Sequence, residues 1–225
     1  MATPNATSSP LSPDPNAMTP VTIVDYHAGN VTSLANAFRR AGGQPTLSRS
    51  PEDIVAAERI VLPGVGAAGQ AMRHLQAEGL VEALGEAVMK RQVPFLGICL
   101  GMQLLAERLT EFGEMPGLGW IPGEVVNLAD LETKIEEVPH TGWSEIDMLP
   151  AWSGAIGGSG GSKYYYFNHS FTLRTDEKLV AATANHGVPL VAAVATNNIF
   201  ATQFHPEISH RAGRKLLGNF LAWRP

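Results

Sequence analysis

The chain has 225 residues, 44% hydrophobic and 16% charged, and a formal net charge of −5 from 16 basic and 21 acidic side chains. This is enough apolar material for one sizeable core, and it excludes a fully disordered chain and a broad basic surface for non-specific nucleic-acid binding. The one cysteine, Cys99, excludes an intrachain disulfide and a Cys-rich zinc site. No apolar run is long enough to span a membrane, and the first residues lack the basic-then-apolar order of a secretion signal. A cytoplasmic location is therefore expected.

Residues 1–20 are rich in Pro, Ser, Thr and Asn and carry one charge, Asp14. They are expected to be a disordered leader, with one folded domain over residues 21–225. A strand is predicted over residues 21–25, a turn over 26–30, and a helix over 31–41 with Leu34, Ala37 and Phe38 on one face and Gly42-Gly43 at its end. Further strands are predicted at 44–49 and 60–62, the latter stopped by Pro63-Gly64-Val65-Gly66, and residues 69–89 read as mostly helical. Residues 94–98 form an almost uninterrupted apolar strand, with a helix expected over 100–108. Strands alternating with helices predict an α/β fold, a mostly parallel open sheet flanked by helices. The second half changes character. Short strands at 119–127, 143–148, 163–167 and 173–182 suggest a small antiparallel extension, interrupted by a flexible Gly/Ser loop at 153–162. Strands at 190–195 and 199–204 and a helix at 212–223 close the domain.

Glycine-rich loops after parallel strands sit at the carboxyl ends of the sheet, where open α/β sheets place their sites. Cys99 lies in Gly97-Ile98-Cys99-Leu100-Gly101, a strand-to-helix joint with a small residue two before and two after. That spacing suits a tight nucleophile elbow, and the N-terminus of the following helix favours a thiolate. A buried, inert cysteine is the plain alternative. A nucleophile needs a base, and the base needs an orienter. His205-Pro206-Glu207 supplies both, because residues i and i+2 of an extended segment point the same way. Pro63-Gly64-Val65-Gly66 has the character of a loop that presents backbone donors to an oxyanion. His74 is expected at the surface, with His186 and His210 in a turn and a loop. His140 and His169 lack an acid at i+2 and are not candidates for the base.

These segments resemble the class I glutamine amidotransferase family. More narrowly, the chain resembles the glutaminase subunits of imidazole glycerol phosphate synthases. The resemblance is carried by Asp25-Tyr26-His27-Ala28-Gly29-Asn30, Leu62-Pro63-Gly64-Val65-Gly66, Gly97-Ile98-Cys99-Leu100-Gly101-Met102-Gln103, Pro139-His140-Thr141-Gly142-Trp143, Tyr166-Phe167-Asn168-His169-Ser170 and Gln203-Phe204-His205-Pro206-Glu207. It implies a flavodoxin-like sheet and hydrolysis of glutamine to glutamate and ammonia through a Cys99 thioester. His205 is then the acid–base group and Glu207 its orienter. Val65, Gly66 and Leu100 form the oxyanion region, and Gln103, Glu111, Ser170 and Phe171 form the glutamine pocket. It also implies a (β/α)₈-barrel cyclase subunit that takes up the ammonia, with Asn30, Trp143 and Tyr166 turned towards it. No metal or organic cofactor is implied.

The chain departs from the family at several points. His27 stands where glycine is usual, Thr141 and Ser144 flank Gly142-Trp143, and Ile208 follows His-Pro-Glu where a lysine commonly makes an interface ion pair. A glutaminase component of a different class I amidotransferase and a non-catalytic domain of the same fold remain the alternatives. The intact Cys99, His205 and Glu207 speak against the second.

Overall fold

The structure, a computed structural model, describes residues 18–131, 135, 137–152 and 163–225. Most of the expected leader and the whole Gly/Ser loop at 153–162 lie outside the described residues.

The elements run β1 (Thr19–Val24), α1 (Val31–Arg40), β2 (Gly43–Ser48), α2 (Pro51–Ala56), β3 (Ile60–Leu62), α3 (Ala68–Ala77) and α4 (Leu80–Leu84), with a π-helical turn Gly85–Lys90. They continue β4 (Phe95–Ile98), α5 (Leu100–Gln103), β5 (Ala106–Leu109), β6 (Met115–Pro116), β7 (Ile121–Asn127), β8 (His140–Met148) and α6 (Pro150–Trp152). The last are β9 (Tyr164–His169), β10 (Phe171–Thr175), β11 (Val180–His186), β12 (Val188–Thr196), β13 (Ile199–Thr202) and α7 (His210–Ala222).

Among the described residues the main sheet has the order β2-β1-β3-β4-β13-β12-β11-β8-β9. β2 through β13 pair in parallel, and the run from β12 to β9 is antiparallel. This is the expected mostly parallel sheet with an antiparallel extension. A second sheet, β10-β7-β5-β6, packs beside it.

The central strands are apolar throughout because both faces are covered. Ile60, Leu62 and Phe95 face a core shared with α2, α3, α4 and the second sheet. Val61, Leu96 and Ile98 face the opposite core, where α1 and α7 meet through Phe38 and Phe220, 6.3 Å between ring centres. The helices start where local chemistry supplies caps. Asn30 accepts a hydrogen bond from the Ser33 N–H at 3.1 Å, and Ser50 caps α2 ahead of Pro51, Glu52 and Asp53.

The structure departs from the sequence reading at several elements. The helix predicted over 100–108 ends at Gln103, and residues 106–109 are strand β5. The carbonyls of Leu104 and Leu105 accept from the N–H groups of Leu118, Trp120 and Ile121, so a longer helix has lost its acceptors to the segment that leads into β7. The single strand predicted over 173–182 is two. β10 pairs with β7 in the second sheet, and β11 pairs with β12 and β8 in the main one, so the chain changes sheet around Asp176. Helix α2, which was not predicted, occupies a segment too short to show periodicity.

Candidate active site

Three adjacent parallel strands deliver the site. β4 lies between β3 and β13, with Leu62 beside Gly97 and Thr202 beside Ile98. The loop Pro63–Gly66, Cys99 and the segment Gln203–Glu207 therefore leave the sheet side by side at its carboxyl edge.

Cys99 sits at φ 53°, ψ −108°, a left-handed backbone that ordinary side chains rarely adopt, between the last residue of β4 and the first of α5. Its N–H continues the pairing to the Thr202 carbonyl at 2.7 Å. The flanking glycines are required sterically. A Cβ on Gly101 would lie 1.9 Å from the Leu62 carbonyl oxygen, and one on Gly97 would lie 2.9 Å from the Gly101 oxygen. Cys99 is 6% exposed. The elbow predicted from spacing is present, but α5 is a single turn, so little helix dipole reaches the sulfur.

His205 Nδ1 donates to Glu207 Oε1 at 2.8 Å, and both side chains are nearly buried. Burial alone would push the His205 ring towards neutrality. The hydrogen bonds and charges of Cys99 and Glu207 overcome this and raise it to about 10, so the ring is protonated at neutral pH. The pairing was anticipated, but not its geometry. His205 is extended, whereas Glu207 lies in a 3₁₀ turn over Pro206–Ile208, so the carboxylate reaches the ring across a turn rather than along a strand. Ser209 Oγ donates to the His205 carbonyl at 2.5 Å and accepts from the Tyr166 N–H at 3.0 Å, which locks that turn against β9.

The Pro63–Gly66 loop packs directly on the elbow: a Cβ on Gly64 would lie 2.9 Å from Leu100 Cβ and 2.4 Å from the Tyr26 hydroxyl. Tyr26, fully buried, donates to the Pro63 carbonyl at 2.7 Å, and burial, with Cys99 nearby, holds its proton on more tightly than usual. Val65 is half exposed, Gly66 has φ +92°, and Leu100 begins α5.

Of the residues expected to line a glutamine pocket, Gln103 is buried beside the elbow and Phe171 is tied to it, the Gln103 Nε2 donating to the Phe171 carbonyl at 3.1 Å. Ser170 precedes β10, and its carbonyl accepts from Leu128 at 2.8 Å. Glu111 accepts from the Ala68 N–H at 2.6 Å and so caps α3, the helix that follows the Pro63–Gly66 loop.

On the predicted partner side, Asn30 is exposed while capping α1, Trp143 is 46% exposed, and Tyr166 is half-buried edge-on to Trp143 at 5.9 Å. His210 is the first residue of α7 rather than a loop residue, and its ring stacks on Trp143 at 4.9 Å. His27 occupies φ 66°, which explains why glycine suits this point of the turn. His74 is half-buried rather than at the surface, its Nδ1 3.2 Å from the Tyr26 carbonyl. His186 ends β11 and stacks on His140 at 4.2 Å.

Sequence reasoning missed Gln203. It is fully buried, its Nε2 lies 3.6 Å from Cys99 Sγ, and its Oε1 accepts from Gln103 at 3.0 Å. The signal was available: Gln203 precedes His205 by two residues on an extended run, the same spacing that singled out Glu207. A cavity of about 680 Å³ on the second sheet shares none of these residues; its Glu124 is already paired with Arg108 and Arg174.

The fold and its cysteine elbow are those of a class I glutamine amidotransferase, and the model of that family matches residues 22–223. Subunit HisH 1 of imidazole glycerol phosphate synthase from Campylobacter jejuni (strain RM1221) is 43% identical over 205 residues, covering 89% of this chain and 98% of that protein. Subunit HisH from Rhodospirillum rubrum is 41% identical over 213 residues, covering 91% and 99%. Two solved structures share the fold: a glutamine amidotransferase (21% identity, TM-score 0.69, covering 90% and 97%) and PurLQS from Thermotoga maritima (16%, 0.68, 92% and 99%). The chain belongs to the class I glutamine amidotransferase family, in its HisH branch.

Proposed function

We propose that this chain is the glutaminase subunit of an imidazole glycerol phosphate synthase, hydrolysing L-glutamine and supplying the ammonia to a (β/α)₈-barrel cyclase subunit in histidine biosynthesis. The observation that carries the chemistry is the placement of Cys99 in a strained elbow beside His205, whose ring Glu207 holds at 2.8 Å.

In this reading the Cys99 sulfur attacks the side-chain amide carbon of glutamine, and the amide oxygen takes up the negative charge. N–H groups of Val65, Gly66 and Leu100 stabilise that oxyanion. His205, having taken up the thiol proton, gives a proton from Nε2 to the departing nitrogen, and ammonia leaves. The neutral ring then accepts a proton from water, whose oxygen attacks the γ-glutamyl thioester; glutamate departs and the sulfur is restored. Gln103, Glu111, Ser170 and Phe171 hold the α-substituents of glutamine.

Ammonia released to bulk water becomes ammonium and loses its nucleophilicity, so the product is of use only if it passes directly to an acceptor. The cyclase joins it to a phosphoribulosyl carboxamide and makes imidazole glycerol phosphate and an aminoimidazole carboxamide ribonucleotide. The face with Asn30, Trp143 and Tyr166 meets this partner. Ile208 carries no charge there, yet it lines a cleft of about 500 Å³ with Arg40, Arg211 and Arg214, which offer cations to an acidic partner surface. The reading is tested with glutamine labelled at its amide nitrogen, given to the chain with the cyclase and its carboxamide substrate. The label is expected in the imidazole product even when unlabelled ammonium is added to bulk. Label found only in bulk ammonium would overturn ammonia delivery.

A further inference from the structure

A hydrogen-bonded chain of buried groups ends on the Cys99 sulfur, and its polarity is fixed at one atom. The Phe171 oxygen is a carbonyl and only accepts. His169 Nδ1 lies 2.8 Å from it and Gln103 Nε2 3.1 Å, so both donate. His169 is neutral, since burial lowers its pKa to about 4, and its Nε2 therefore accepts from His140 Nδ1 at 3.0 Å. His140, lowered to about 3 by burial and by His169 and His186, is neutral too, and its Nε2 accepts from the Ser144 hydroxyl at 2.8 Å.

On the other side of Phe171, the second hydrogen of Gln103 Nε2 goes to Gln203 Oε1 at 3.0 Å. Turning the Gln103 amide over would set its oxygen against the Phe171 carbonyl. Turning the Gln203 amide over would set an NH₂ group against the NH₂ of Gln103. Only one orientation satisfies every atom, and it directs a Gln203 N–H at Cys99 Sγ, 3.6 Å away. Gln203 is fully enclosed, so no water replaces this donor.

We propose that Gln203 is a further catalytic residue of the glutaminase reaction, its amide N–H, held in place by Gln103, donating to the Cys99 sulfur and favouring the thiolate over the thiol. A hydrogen bond to a charged acceptor is stronger than one to a neutral acceptor, so this contact stabilises the anion selectively. It takes on the task that the single turn of α5 is too short to perform. The inference rests on the reading of Cys99 as nucleophile.

Cys99 is the only cysteine, so alkylation by iodoacetamide, followed by intact mass, reports on this sulfur alone. In Gln203→Met, of similar size but without the donor, the pH at half-maximal alkylation rate is expected to rise by about one unit, with a roughly tenfold slower rate below it. The kcat for glutamine with the cyclase present should fall on the acid side of the raised midpoint and recover as pH passes through it, a recovery that a packing defect would not give. Gln203→Glu keeps the size and the acceptor for Gln103 but sets a carboxylate oxygen towards the sulfur. It is expected to raise the midpoint as well, and it serves if the methionine variant does not fold by circular dichroism. An unchanged midpoint in a folded variant would overturn the inference. If the wild-type complex released no glutamate while Cys99 still alkylated, the glutaminase reading would fail instead, and the comparison of midpoints would still decide the role of Gln203.

Discussion

Glu207 is held to His205 by one short hydrogen bond between two nearly buried groups, and much of the site's electrostatics depends on it. Glu207→Gln keeps the shape and removes the charge that supports the protonated ring. The kcat of the complex is expected to fall by about two orders of magnitude or more, as happens when the orienting acid of a triad is made neutral. The sign with pH is also set. A ring raised from 6.5 to about 10 contributes stability that is complete below 6.5 and is lost as pH rises through about 10. The alkaline fall in stability, followed by urea unfolding, should therefore begin at lower pH in Glu207→Gln than in the wild type. Cys99, His205 and Glu207 were all legible in the sequence because a cysteine in a glycine-flanked strand-to-helix joint and a His-x-Glu run are local signals. Gln203 was harder to read. A glutamine has no charge to mark it, and its contacts with Gln103 and Cys99 span about a hundred residues of chain.

At the level of the element, the elbow depends on the absence of side chains where β3, β4 and α5 converge. Gly101→Ala would bring a methyl group within 1.9 Å of the Leu62 carbonyl oxygen, a backbone atom with no rotamer to yield. The expected cost is about 3 kcal/mol, seen as a Tm lower by roughly 6–10 °C, with loss of glutaminase activity in whatever remains folded. Gly66→Ala serves as the contrast. Nothing lies within 4 Å of a Cβ there, but φ is +92°, so strain alone should lower the Tm by a smaller amount. The central strands and α1 and α7 were legible from apolar runs and periodicity. The short α5 was not, because its end is set by carbonyls of Leu104 and Leu105 turned towards residues 118–121, the segment that leads into β7. The sequence pattern around them reads equally well as helix.

Across the whole molecule, the neutral pair His140–His169 joins β8 to β9, and the His140 ring stacks on His186 and Phe167. Both rings have pKa values well below 6.5, near 3 and near 4, so the unfolded chain takes up protons that the folded chain refuses. Stability is expected to be full above 6.5 and to fall progressively as pH drops towards 4. His169→Gln should flatten that fall in urea titrations run across the same range. This tie was not legible in the sequence, where His140, His169 and His186 are scattered and carry no metal-ligand spacing. The topology was legible in its parallel half, where the chain alternates strand and helix. It was less so in the antiparallel half, where the chain leaves the main sheet for β10 and returns.

The most direct measurement is glutamate release from glutamine by the chain in complex with the barrel cyclase, wild type beside Cys99→Ala. Cysteine catalysis at Cys99 predicts steady release by the wild type, stimulated by the cyclase and its carboxamide substrate, and a fall to background in a variant that still folds and binds the partner. A folded Cys99→Ala chain that releases glutamate at the wild-type rate would contradict it.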